Sequence, residues 1–156
     1  MDLAKDLNLV VIPLLKGSKR PFMRDWQKWN HEKSYRFFEK PRDLNRGILC
    51  GPISDLTVID VEADQLDNWK QFLNGRNMNT LTVNTGGGGK HYYFRYFHSA
   101  NLIKHKLPTG GSFDLKTTGG QVVWIDSIHP NGSRYTLDGE CRIIAEAPSW
   151  IKQLVF

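Results

Sequence analysis

Three short segments hold the residues best suited to chemistry. Val58-Ile59-Asp60-Val61-Glu62 sets two acids two positions apart. Alternate side chains of a β-strand share a face, so Asp60 and Glu62 point the same way. Neighbouring carboxylates repel each other, and a divalent cation that prefers oxygen ligands, Mg²⁺ or Mn²⁺, relieves the repulsion. The same pair also fits a strand end hydrated by solvent. A third acid, Asp114, stands in Ser112-Phe113-Asp114-Leu115-Lys116. Phe113 and Leu115 would face a core there, leaving Asp114 and Lys116 together on the other face. An ordinary exposed strand face would show this pattern too.

The third segment is Thr85-Gly86-Gly87-Gly88-Gly89-Lys90-His91. Glycines let backbone N–H groups approach an anion closely, which makes Gly88 and Gly89 candidate phosphate contacts. Lys90 and His91 would add a charge or a donor beside that anion. No Lys-Ser/Thr closes the segment and a strand follows it, so it is not a Walker loop. A flexible hairpin turn is the plainer reading. Taken together, three carboxylates for metal and a glycine turn with His and Lys for phosphates describe a triphosphate site. Two-metal nucleotidyl transfer needs those parts.

Strands must hold these side chains in place. Val10-Val11-Ile12-Pro13-Leu14 reads as a buried strand ending at its proline. Ile48-Leu49-Cys50 and Leu56 to Glu62 read as neighbouring strands across Gly51-Pro52. Asp64 to Asn74 fits a helix with Leu66, Trp69, Phe72 and Leu73 on one face, Asp64 as N-cap and Gly75 as stop. Leu81-Thr82-Val83 runs into the glycine turn, and His91 to Tyr96 leaves it. Phe113 to Lys116 and Gln121 to Ile125 look like a strand pair joined through Thr118-Gly119-Gly120. Arg134 to Leu137 is a last strand, and Ser149 to Leu154 an amphipathic turn of helix. Strands outnumber helices in mixed order, which predicts an α+β fold on a mainly antiparallel sheet.

Composition narrows the classes. The 156 residues are 40% hydrophobic and 24% charged, as in ordinary globular chains, which excludes whole-chain disorder and coiled coil. The length suits one domain over residues 1–156. No apolar run is long enough to cross a membrane as a helix, and no secretory leader is visible. Two cysteines, Cys50 and Cys141, make neither a four-cysteine zinc site nor a disulfide framework, so a cytoplasmic setting is expected. The net charge is +5, yet Lys16 to Arg46 alone holds ten Lys/Arg against four Asp/Glu. Phe22, Trp26, Trp29, Tyr35, Phe37 and Phe38 are interleaved with those cations. Cations among aromatics suit single-stranded nucleic acid, with Lys19, Arg20 and Arg24 as candidate template contacts. A solvated helix face with its aromatics turned inward fits equally.

The order Asp-x-Glu, then a glycine-rich turn with His on a strand, then an Asp flanked by apolar residues, resembles the three motifs of archaeo-eukaryotic primases. More narrowly, it is similar to the bifunctional primase-polymerase domains of plasmid and phage primase-helicase replication proteins. The resemblance covers nearly the whole chain, from Gly17-Ser18-Lys19-Arg20-Pro21 to Ala147-Pro148-Ser149-Trp150-Ile151. It implies a small α/β module packed on a sheet like that of RNA-recognition domains, with the active site between them. It also implies that Asp60, Glu62 and Asp114 hold catalytic metals and that His91 contacts the nucleotide's phosphates. The substrates implied are dNTP or NTP and a single-stranded or primed DNA template. A C-terminal helicase would follow in a longer replication protein. Gly89 stands where many members have Ser, and Lys116 where members often have Arg.

Two other readings use the same residues. A metal-dependent nuclease of the Asp…Asp-x-Lys kind would use Asp60, Asp114 and Lys116 but leave the glycine turn and His91 idle. A non-catalytic single-strand-binding domain would use the basic aromatic segment alone. A rolling-circle relaxase would need a His-apolar-His pair, which the chain lacks.

Overall fold

In the computed structural model, which describes residues 2–39, 43–98 and 104–155, the strand β3 (Thr57–Val61) lies at the centre. Its alternation sends Val58 into one apolar cluster and Ile59 and Val61 into another. Both faces of its sheet are therefore covered, each by a different layer.

That sheet has six strands in the order β6 (Lys104–Lys106), β7 (Ser112–Lys116), β3, β5 (Lys90–Phe94), β4 (Thr82–Asn84) and β9 (Thr136–Leu137). Every pairing is antiparallel. The inner four, β7-β3-β5-β4, have the arrangement of an RNA-recognition-type sheet, with the first strand of the four flanked by the fourth and the third. On one face pack α3 (Leu66–Leu73) and α4 (Ser149–Lys152). Trp69 and Ile151, both fully buried, anchor them against Phe113 and Tyr92.

The other face meets a small module of α1 (Leu3–Asp6), α2 (His31–Glu39) and a three-stranded sheet. That sheet runs in the order β1 (Val11–Leu14), β2 (Asn45–Leu49) and β8 (Gln121–Val123). Val10, Ile12, Ile48 and Val122 share one cluster with Val58, Val83 and Tyr93 of the large sheet. Burial of this shared surface holds the two layers together.

Four details differ from the sequence expectations. Pro13 sits inside β1 rather than ending it. The strand is an edge, where a missing N–H costs no ladder bond, and Phe22 N–H donates to the Pro13 carbonyl at 2.9 Å. Asp64 falls within a 3₁₀ turn, Ala63–Gln65, instead of capping α3. The strands on either side of Gly51-Pro52 lie in different sheets, β2 ending at Leu49 and β3 beginning at Thr57, with an isolated bridge between Gly51 and Leu56 in the connection. Likewise β7 and β8 are not a hairpin: after Lys116 the chain crosses from the large sheet to the small one. This crossing makes the cleft in which the candidate residues meet. Among the described residues, no helix is long and apolar enough to cross a membrane.

Candidate active site

Strand register aligns the key side chains in one row across the large sheet. Lys104 pairs with Asp114, Asp114 with Asp60, and Asp60 with His91. All four therefore share the face turned toward the small module. Glu62 follows Asp60 on the same side at the end of β3. One carboxylate oxygen from each of Asp60, Glu62 and Asp114 lies within 4.8 Å of the others. Asp60 is largely buried, Asp114 half-buried and Glu62 exposed, so the cluster grades from the sheet into solvent.

The donor set fits a hard divalent cation, being all carboxylate oxygen. A second observation supports the fit. Asp114 Oδ1 is buried and has no hydrogen-bond partner among the described residues. A buried carboxylate oxygen left unpaired is costly, and a cation satisfies it. His91 Nδ1 and Gln121 Oε1 in the same region are also buried without a partner.

His91 Nε2 stands 3.4 Å from Asp60 Oδ1. Burial alone would push the Asp60 carboxyl up. The hydrogen bond from His91 and the charges of His91, Lys116 and Lys19 outweigh it, so the group sits below its ordinary 3.8. Asp60 is thus held ionised at neutral pH. Tyr135, buried nearby, is pushed up to about 12 by burial and then by the negative charge of Asp60 and Glu62. It remains a neutral phenol.

These groups surround a cleft of about 240 Å³ between the sheets. Asp60, Glu62, His91 and Lys116 come from the large sheet, Gln121 to Val123 from the small one, and Lys19 from the loop after β1. Lys19, expected among the template contacts, therefore lines the cleft itself and is exposed at it. Arg20 and Arg24 are exposed on the same loop, outside the cleft lining.

The glycine turn also differs in detail from its expected use. Gly88 N–H donates to the Thr85 carbonyl at 3.0 Å, and Gly89 N–H to Thr85 Oγ1 at 2.9 Å. Those two donors close the turn and are engaged. Among the described residues, the N–H groups of Gly86 and Gly87 have no acceptor, and Gly87 lines the cleft. Lys90 is expected beside the same phosphates. Adjacent to His91 in sequence, it points instead to the opposite face of β5, where its ammonium bonds Asn84 Oδ1 at 3.0 Å and pairs with Asp138. Strand alternation already carried that signal. The sequence reading missed His129, Tyr135, Gln121 and Thr85, all of which line the cleft. No spacing rule links His129 to the other site residues, because its loop reaches the cleft through tertiary folding.

Residues 1–150 match a family model described as bifunctional DNA primase/polymerase, N-terminal. A search of curated proteins finds no match.

Proposed function

The chain belongs to the bifunctional DNA primase/polymerase family, and from that premise we propose that residues 1–156 form a catalytic unit for template-directed nucleotidyl transfer from dNTP or NTP. The observation that carries this reading is the row formed by Asp114, Asp60 and His91, with Glu62 beside it and the glycine turn at the same cleft. Enzymes of this family depend on metal, and Asp60, Glu62 and Asp114 are the residues that would hold it. Bound Mg²⁺ or Mn²⁺ supplies charge neutralisation on the phosphates and a lower pKa for the attacking 3′-hydroxyl.

The protein's own groups do the rest. Asp60 orients His91, whose imidazole faces the incoming phosphates from the neighbouring strand. Lys116 and Lys19 bring positive charge to a polyanion entering the cleft, and Gly87 offers an uncommitted N–H. The exposed Lys19, Arg20 and Arg24 run outward from the cleft and take the template backbone, with Phe22, 49% exposed, beside them for a base to stack on. The nuclease alternative would employ Asp60, Asp114 and Lys116 alone. Contact between His91 and Asp60 favours the triphosphate reading. In the full replication protein of a plasmid or phage, a C-terminal helicase would supply the unwound template, in the host cytoplasm.

The test is incorporation of labelled dNTP and NTP on primed and unprimed templates with Mg²⁺ or Mn²⁺. Wild type extends the primer. Asp60→Ala, Glu62→Ala and Asp114→Ala each lose roughly a hundredfold or more while keeping the folded circular-dichroism spectrum. Wild-type-like synthesis by all three would refute the assignment.

A further inference from the structure

His129 also lines the cleft. It belongs to a tightly bonded turn. His129 N–H donates to the Ser133 carbonyl at 2.8 Å, and Gly132 N–H to the His129 carbonyl at 2.8 Å. Ser133 N–H donates to Asn131 Oδ1 at 2.8 Å. Asn131 Nδ2 then reaches across to the Gly86 carbonyl at 2.9 Å and ties this turn to the glycine turn.

The backbone also fixes the imidazole's tautomer. Asn131 N–H donates to His129 Nδ1 at 3.0 Å, so Nδ1 holds a lone pair and the proton sits on Nε2. Nε2 lies beside Gly87: a methyl group built on that glycine would stand 3.4 Å from it. Among the described residues neither Nε2–H nor Gly87 N–H has an acceptor. Two unpaired donors thus stand next to each other in a cleft that also holds Lys19 and Lys116. The Tyr135 ring lies between the two histidines, 6.5 Å from His91 and 6.1 Å from His129 by centroids, and braces both. Gly86 must stay bare for this packing, because any Cβ there would collide with the His129 Cβ.

We propose that His129 is a second phosphate-binding imidazole, which donates its Nε2–H beside Gly87 N–H to the triphosphate of the incoming nucleotide. This rests on the reading of the cleft as a nucleotide site. His129 would act as a neutral directional donor with its geometry set in advance, as suits a group that places a phosphate tail.

The experiment is isothermal titration of the full chain with dATP in Mn²⁺, without primer or template, so that no turnover occurs. His129→Ala is expected to weaken dATP binding about tenfold or more, the scale of a hydrogen bond to a charged group. Glutamine carries an amide donor to the Nε2 position, whereas the shorter asparagine does not. His129→Gln should therefore stay within about threefold of wild type, and His129→Asn should behave like alanine. Wild-type affinity in His129→Ala, no rescue by glutamine, or equal rescue by asparagine would each overturn the proposal. Failure of the nucleotide-site reading would look different: wild type itself would not bind dATP.

Discussion

Gly89 packs against the strand end that carries the acidic pair. A Cβ at this position would come closer to the Val61 carbonyl oxygen than real Cβ atoms approach a neighbour, and within 3.2 Å of both Ala63 N and Glu62 Cα. All three neighbours are backbone, so no side chain can swing aside. The backbone of Gly89 is not in the left-handed region, so the obstacle is space alone. Gly89→Ala must either strain the turn or push Glu62 away from Asp60. Overpacking of this kind costs about 1–3 kcal/mol, which for a chain of this size lowers Tm by roughly 2–12 °C. A shift of Glu62 by about an ångström would also cost on the order of a hundredfold in activity. The assay is thermal melting with and without Mn²⁺, followed by primer extension. Gly89→Ala should melt lower, gain less from Mn²⁺ than wild type does, and extend poorly. Gly87→Ala, whose Cβ would meet only ordinary contacts, should melt with wild type. A Gly89→Ala protein with wild-type melting and an intact Mn²⁺ response would refute the steric argument. Gly89→Ser should fail for the same reason.

Lys90→Met removes the half-buried contacts to Asn84 and Asp138 and should cost about 1 kcal/mol in urea unfolding, with dATP affinity unchanged; a large loss of affinity would return Lys90 to the cleft. Cys50 is buried, and burial, opposed by the charge of Lys116, pushes its thiol up to about 12. At pH 8 a thiol reagent should therefore modify Cys141 alone until the protein is unfolded, and rapid reaction of both would contradict the buried position. Because Asp60 titrates below its ordinary 3.8, its ionised form contributes stability that is present above that pH and lost as pH falls through the folded value. In divalent-free buffer, urea midpoints from pH 6 to 2 should show this loss in wild type and its absence in Asp60→Asn; parallel curves would count against it.

Much of the site was legible because strand alternation is a strict rule. Asp60 and Glu62 on one face, and Asp114 and Lys116 between buried Phe113 and Leu115, follow from period two alone. The rest depended on pairing partners, which local sequence does not encode. Thr118-Gly119-Gly120 has the chemistry of a hairpin turn, yet it carries the chain between two sheets: Val122 pairs with Ile48 of β2, and both valines join the apolar cluster that Ile48 belongs to. The basic aromatic segment divides between both of its readings. Trp29 and Phe37 are core residues, while Phe22 and the cations Lys19, Arg20 and Arg24 stay at the surface. His129 could not be found from spacing, since its value comes from the turn that fixes its tautomer and the glycines that leave it room.

The most direct test is crystallographic. Crystals grown with Mn²⁺ and a non-hydrolysable dNTP, measured at the manganese edge, should show anomalous density within coordination distance of Asp60, Glu62 and Asp114, with the triphosphate between His91 and the glycine turn. Manganese bound elsewhere, or a nucleotide seated away from that row of side chains, would contradict the account.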